Sequence, residues 1–190
     1  MARTFPNLEL ADEEAIVARG RSIGPERDAA LEEIFRLFRE SILSLCLHIV
    51  GDRAEAEDVV QHVFLSVHGA LPYFRHESRL STWIYRIAIR AAVAARARRR
   101  ELTPLDDQLL APNAEHDLQV RDQTRRVADA MDRLSIDHRT VLSLFAIDGL
   151  SHREIADVLG VPEGTVWSRL SAARKKLNEE LRLRPARRAR

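Results

Sequence analysis

The sequence holds a single cysteine, Cys46. That excludes an intramolecular disulfide and leaves no thiolate cluster for a structural metal. Set in the apolar run SLCLHIV, the thiol is expected to be an inert core group. Aromatic residues make up only 5% of the chain, and the apolar–polar alternation of a half-buried strand is hard to find. No apolar run reaches membrane-spanning length and the first residues lack the core of a signal peptide, so the chain is expected to be soluble and cytoplasmic, with no membrane insertion. A catalytic constellation is missing as well. Of His48, His62, His68 and His76, only His62 and His68 approach one helical face, and a spacing of six residues suits a shared metal poorly. The expectation is a protein with no metal site, no cofactor and no enzymatic activity.

Net charge is almost absent too, +1 from 30 basic against 29 acidic residues, but the charges are segregated. Between Ser78 and Arg100 there are seven arginines and no acid; between Glu101 and Asp122, six acids and one arginine; between Arg174 and Arg190, eight basic residues and two acids. Blocks of this kind imply separate surfaces for separate partners.

What the chain does have is helical periodicity nearly throughout. Asp12 is placed to cap a short helix ending near Gly20. A longer helix is expected from about Arg27 to Val50, with Leu31, Ile34, Phe35, Phe38, Ile42, Leu45 and Ile49 on its apolar stripe and Gly51-Asp52 as its stop. A third runs from about Ala54 to Ala70, the segment YFRHES (73–78) is a loop, and a fourth runs from about Arg79 to Arg99. Residues 101–121 carry two prolines and five acids without clean periodicity and are expected to be a linker. A second domain follows from about residue 122, with helices to about Leu134 and from Ile136 to Ile147. The fold class is therefore all-α. Two small helical domains, 27–100 and 122–184, are joined by a flexible acidic linker, with an N-terminal extension 1–26 bearing a short helix and a basic tail at 185–190.

The stretch EIADVLGVPEGTVWSRL (154–170) reads as a helix-turn-helix. Ser151 with Glu154 makes a capping box, Gly160 supplies a left-handed stop, and Val161-Pro162 starts the next helix. On that helix Val166, Leu170, Ala173 and Leu177 share one side. The other side shows Gly164, Trp167, Ser168, Ser171 and Lys175, with Arg169 and Arg174 at its edges. Small residues and donors on an acid-poor face suit a helix entering a major groove. Trp167 has two readings, a ring against sugar or a thymine methyl and a partly buried packing residue.

On the fourth helix Leu80, Ile84, Ile87, Ala88 and Ala91 point one way, and Arg79, Arg86 and Arg90 roughly the other. No acid of the same helix is able to pair with them, which favours a polyanion backbone over a solvated face. Tyr73, Phe74 and His76 in the preceding loop have two readings, holding unstacked bases beside this cationic helix and, as is more frequent for loop aromatics, packing on their own domain. On the third helix Ala56, Val60, Val63, Phe64 and Val67 cluster on one side, while Leu65 projects with Asp58, Gln61 and His62. An isolated exposed leucine and the apolar anchor of a protein interface are equal readings of that pattern.

Three segments in order, GDRAEAEDVVQHVFLSVH, YFRHESRLSTWIYRIA and LSHREIADVLGVPEGTVWSRLSAARKKL, resemble the segments that define bacterial RNA polymerase sigma factors of the extracytoplasmic-function (ECF) class, over roughly residues 28–182. The resemblance implies sigma region 2 in the first domain, sigma region 4 in the second, and a role for each surface. Asp58, Gln61, His62 and Leu65 would dock on core RNA polymerase. Tyr73, Phe74, His76, Ser78, Arg79, Trp83, Arg86 and Arg90 would melt and hold the minus-ten promoter element. Arg153, Glu163, Thr165, Trp167, Ser168, Arg169, Ser171 and Lys175 would read the minus-thirty-five element as duplex DNA. The linker would thread toward the polymerase channels, and an anti-sigma factor is the expected inhibitor. The chain departs from the family at His76, where glycine is frequent, at Arg90, where asparagine is frequent, and at Trp167 and Ser171, where basic or aromatic-basic residues are common.

Overall fold

The computed structural model describes residues 8–102 and 126–183. Among the described residues there is no strand. The helices are α1 (Leu10–Gly20), α2 (Pro25–Val50), α3 (Arg53–Ala70), α4 (Leu80–Leu102), α5 (126–132), α6 (Ile136–Ala146), α7 (His152–Leu159) and α8 (Glu163–Leu183), with a single 3-10 turn at Leu71–Tyr73 after α3. The expected basic tail lies outside the described residues, as does the acidic linker beyond its first two residues, which continue α4.

Local chemistry sets most of the helix ends. Pro25 opens α2 at a position where its missing N–H costs nothing. Gly51 closes α2 in the left-handed region, with φ of 81°. Asp52 then caps α3, its Oδ1 accepting the Glu55 N–H at 2.9 Å. The expectation at α1 is corrected: the helix starts at Leu10, so Asp12 lies inside the first turn, where a carboxylate favours the positive helix end without capping it.

Helices α2, α3 and α4 pack on one another as a bundle, and α1 lies across α2. Their core is built from Ile34, Phe38, Ile42, Leu45 and Ile49 of α2, Val60, Val63 and Val67 of α3, and Leu80, Ile84 and Ala88 of α4, all buried. Each of these side chains larger than alanine contributes roughly 1.5–3 kcal/mol on leaving water. Phe35 departs from its expected place on the inward stripe. It stands at the edge of the apolar arc and is 42% exposed. Cys46 is fully buried, and burial, helped by the Asp148 carboxylate, pushes its thiol up to about 12. It is an inert core group.

The second set of helices does not stand apart from the first. Helix α6 packs on α2 and α7 on α4, and the buried apolar side chains form one continuous cluster across both sets. Arg139 of α6, 1% exposed, is the centre of that seam. It donates to the Ile49 carbonyl at the end of α2 (3.2 Å) and to the Met131 carbonyl (2.9 Å), and it meets Asp132 Oδ1 at 2.8 Å. Arg96 of α4 donates to the neighbouring Val50 carbonyl and approaches the same Asp132. Two guanidiniums thus satisfy carbonyls that the last turn of α2 leaves without helical partners, at the helix end where positive charge is favoured. On the other side of the seam Tyr85 of α4 is fully buried near Ser41 and Asp148, and burial reinforced by the Asp148 charge pushes its phenol far up.

Candidate nucleic-acid and polymerase interfaces

The α3 face is fully open. Asp58, Gln61, His62 and Leu65 are all exposed, Leu65 at 69%. His62 Nδ1 donates to the Asp58 carbonyl at 2.9 Å, one turn back, which fixes the ring along the helix. Residues missed by the spacing argument widen this face. Phe35 meets Phe64 edge to face at 4.8 Å, and Leu31, Phe35, Phe64 and Leu65 line a shallow groove closed by Gln61 and His68. An apolar floor with a polar rim is the anatomy of a protein-binding patch. The available signal was positional, because Phe35 lies at the edge of its helical arc, next to Arg39, which rests over the ring at 5.8 Å.

The loop between α3 and α4 forms a second surface. Tyr73 is 80% exposed, whereas Phe74 is 5% exposed. Phe74 therefore does not offer its ring to an incoming base as expected from its place in a loop. It packs on Trp83 at 5.1 Å and on His76 at 5.0 Å and makes a floor. Tyr73, Phe74, Ser78, Trp83 and Arg86 line an open hollow. His76 has φ of 58°, the one non-glycine residue in the left-handed region among the described residues. A β-carbon is strained there and glycine is not, which explains physically why glycine suits this position.

The arginines of α4 are more occupied than helical spacing implied. Arg79 precedes the helix and pairs with Glu13 at 3.0 Å. Arg99 lies between Asp52 (3.8 Å) and Glu55 (3.7 Å). Arg86 donates through Nε and Nη2 to the Asp157 carbonyl of α7, at 3.2 and 2.6 Å. The absence of acids on the same helix was a poor guide, because the acceptors come from other helices. Arg90 is exposed and, with Arg86, lines the cleft between α4 and α7.

The helix-turn-helix is built as expected. Ser151 and Glu154 complete the capping box, with Ser151 N–H donating to Glu154 Oε2 at 2.8 Å, and Gly160 stops α7 at φ of 66°. Val166, Leu170 and Ala173 are buried. Arg153, Glu163, Trp167, Ser168, Ser171 and Lys175 are exposed, and Thr165 and Arg169 are partly buried. Arg169 is tied to Asp137 of α6 at 2.9 Å. The two readings of Trp167 turn out to be compatible. One face of the ring stacks on His152 at 4.1 Å and 11°, yet the residue stays 57% exposed. His152 in turn lies 5.3 Å from Phe145, over which Arg174 is placed at 4.7 Å. This ladder fixes the indole on the surface of α8 without hiding it.

Two helical units, one with an aromatic hollow beside arginines and one with a helix-turn-helix, define a transcription factor that meets DNA at two places. Comparison with known proteins carries this further. The family described as Sigma-70 region 2 matches residues 34–101 and that described as Sigma-70, region 4 matches 124–177. The chain is 36% identical over 162 residues to the RNA polymerase sigma-H factor of Pseudomonas aeruginosa, spanning 76% of this chain and 82% of that one. It is 32% identical over 159 residues to the ECF RNA polymerase sigma-E factor of Escherichia coli K12, with the same coverages, 76% and 82%. In fold it is similar to CnrH, solved in complex with the cytosolic domain of CnrY (TM-score 0.71, 22% identity, 91% of this chain and 99% of that one). It is also similar to the sigma factor RpoE of Bartonella quintana, solved with the anti-sigma factor NepR (TM-score 0.66, 22% identity, 81% and 98%). The chain belongs to the ECF sigma factors: it is an alternative sigma factor of RNA polymerase, acting in promoter recognition and transcription initiation. No described helix is long and apolar enough to cross a membrane.

Proposed function

We propose that this sigma factor works by binding alone, in the cytoplasm, through three surfaces carried by a region 2 domain (27–100) and a region 4 domain (122–184). The α3 face around Leu65, enlarged by Phe35, docks on core polymerase. The hollow between Tyr73 and Trp83 holds the displaced strand of the minus-ten element, with Arg86 and Arg90 on its phosphates. The outer face of α8, with Trp167, Ser168, Ser171 and Lys175, reads the minus-thirty-five duplex. Unstacking a base costs a few kcal/mol per step, offset by an aromatic surface and cations that favour the single strand. In the packed arrangement Arg86 is engaged with α7, so promoter binding requires the seam between the domains to open on that side. An anti-sigma factor is the proposed inhibitory partner, a reading supported by the pairing of the Bartonella quintana protein of this fold with NepR.

The observation that carries this reading is the order of the two sigma regions on one chain, with every assigned side chain except Phe74 at least partly exposed. Transcription in vitro with purified core polymerase tests it. Adding the chain should create defined start sites, and Leu65→Asp should weaken core binding by on the order of a hundredfold, as for an interface anchor forced to bury a charge. Normal core binding by that variant would overturn the docking face.

A further inference from the structure

Helix α1 turns a carboxylate inward at the point where the α3–α4 loop rejoins the bundle. Glu13 is 3% exposed. Its Oε2 accepts the backbone N–H of Leu80 at 3.2 Å and meets Arg79 Nε at 3.0 Å. Leu80 is the first residue of α4, so a side chain from 67 residues away supplies the acceptor that Arg79, preceding the helix, lacks. The same carboxylate places negative charge at the positive end of α4. Arg79 is held from a second direction, since its Nη2 donates to the Leu8 carbonyl.

The other end of the loop is gripped by the same segment. Arg21, just past α1, donates through Nη2 to the Phe74 carbonyl. Gly20 lies so close to Leu71 that a β-carbon there would fall 2.4 Å from Leu71 Cδ2. Ile16 and Val17 are buried and anchor α1 in the core. Between the two grips lies His76, with its strained φ of 58°. A loop held in such a conformation needs surroundings that over-determine it.

We propose that α1 is a brace for the strand-holding loop and that Glu13 is its positioning residue, acting through Arg79 and the Leu80 amide without touching DNA. The proposal rests on the reading that the hollow between Tyr73 and Trp83 takes a displaced strand. Apparent affinity falls in proportion to the fraction of molecules whose loop is in the binding conformation, so releasing one grip weakens strand capture while leaving the duplex-reading helix untouched.

Two measurements separate the brace from that reading. Amide hydrogen exchange on the full chain needs no DNA. Glu13→Ala should speed exchange of the Leu80 amide and its neighbours by about tenfold, the loss of one cap, while amides of α7 and α8 keep their rates. Unchanged exchange near Leu80 would overturn the brace. The second measurement uses holoenzyme with core polymerase and two probes from one mapped promoter, a 2-aminopurine-labelled single strand spanning the minus-ten element and a duplex spanning the minus-thirty-five element. Glu13→Ala should weaken the single strand by about tenfold and leave the duplex and core binding unchanged. Glu13→Gln, whose amide oxygen still accepts the Leu80 N–H, should recover part of that loss. Arg21→Met, a change at an exposed side chain, tests the other grip in a variant that keeps the buried carboxylate, and it should weaken the single strand alone. Equal losses on both probes would reduce Glu13 to a fold-stability residue and sink the proposal. A wild-type holoenzyme that binds the single strand no better than the same sequence as duplex would remove the strand-holding reading, and the exchange result would still decide the brace.

Discussion

In the N-terminal bundle, arginines end on acceptors from other helices: Arg79 on Glu13, Arg99 between Asp52 and Glu55, Arg96 on Val50 and Asp132. On α7 and α8 of the helix-turn-helix, Arg153, Lys175 and Lys176 stand exposed. The contrast follows from what each unit presents. A groove-reading helix is a preformed rod, and its caps and its buried stripe hold it in shape. Its cations are available for phosphates. A surface made from a loop has no such internal ladder, so part of its positive charge is used to position backbone. Cation count along a helix therefore overstates the exposed positive charge more in the first unit than on α7 and α8.

The largest expected effect breaks the place where the two units meet. Arg139→Met removes the buried guanidinium from Asp132 and from the Ile49 and Met131 carbonyls, which should cost about 3 kcal/mol, the loss of several hydrogen bonds made by a charged donor. Urea unfolding followed by fluorescence of Trp83 and Trp167, one in each unit, should show a lower midpoint for both tryptophans together if the units unfold as one. A midpoint equal to that of the unchanged chain would mean that the seam contributes nothing to stability. Next in size is Ser151→Ala, which removes one half of the capping box and should cost about 1 kcal/mol. Its effect should fall on minus-thirty-five binding, with the α3–α4 loop unaffected; a loss of single-strand binding would contradict the division of labour between the units.

How much of this was legible beforehand depends on range. Gly51, Ser151, Glu154 and Gly160 were readable because a cap is made by residues within one turn of each other. The exposure of Asp58, Gln61 and Leu65 was readable for the same reason, since they lie on consecutive turns of one helix. Glu13 and Arg139 were not. Glu13 meets Leu80 67 residues away, and Arg139 reaches Ile49 90 residues away as well as its near neighbours Met131 and Asp132, and no periodicity connects the distant pairs. Phe74 was assigned to an open loop and is buried, because a loop of six residues folds back on Trp83, a contact that composition does not reveal. The packing of the two units through α4–α7 and α2–α6 was not legible for a related reason, since the buried arginine that joins them looks on the sequence like any other cation.

A smaller pair of changes sharpens the contrast in cation use. Arg99→Ala should lower stability by roughly 0.5 kcal/mol, because its two carboxylate contacts are long and partly exposed, and should leave the salt dependence of duplex binding as it was. Lys175→Ala should do the reverse, with unchanged stability and a salt slope for duplex binding reduced by about one. If both variants changed the slope equally, the distinction between positioning and DNA-facing cations would be lost.

The smallest effect is a pH dependence that reports on the same seam. Burial lowers the pKa of His48 from 6.5; the Ser44 carbonyl partly opposes this, and the Arg139 charge adds to the lowering. Between 6.5 and the lower folded value the unfolded chain binds more protons than the folded one, so stability rises with pH across that window. The contribution of His48 is fully present above pH 6.5 and is lost as the pH falls through the folded value. Urea midpoints measured from pH 7.5 down to 5 should therefore decline on the acid side, and His48→Gln should flatten that part of the decline. Arg139→Met should flatten it as well, by less, because one of the two influences that hold His48 neutral comes from α6, across the seam. Acid sensitivity that is unchanged in Arg139→Met would mean that the charge of the second unit does not reach the end of α2, and the joint would then be a packing contact alone.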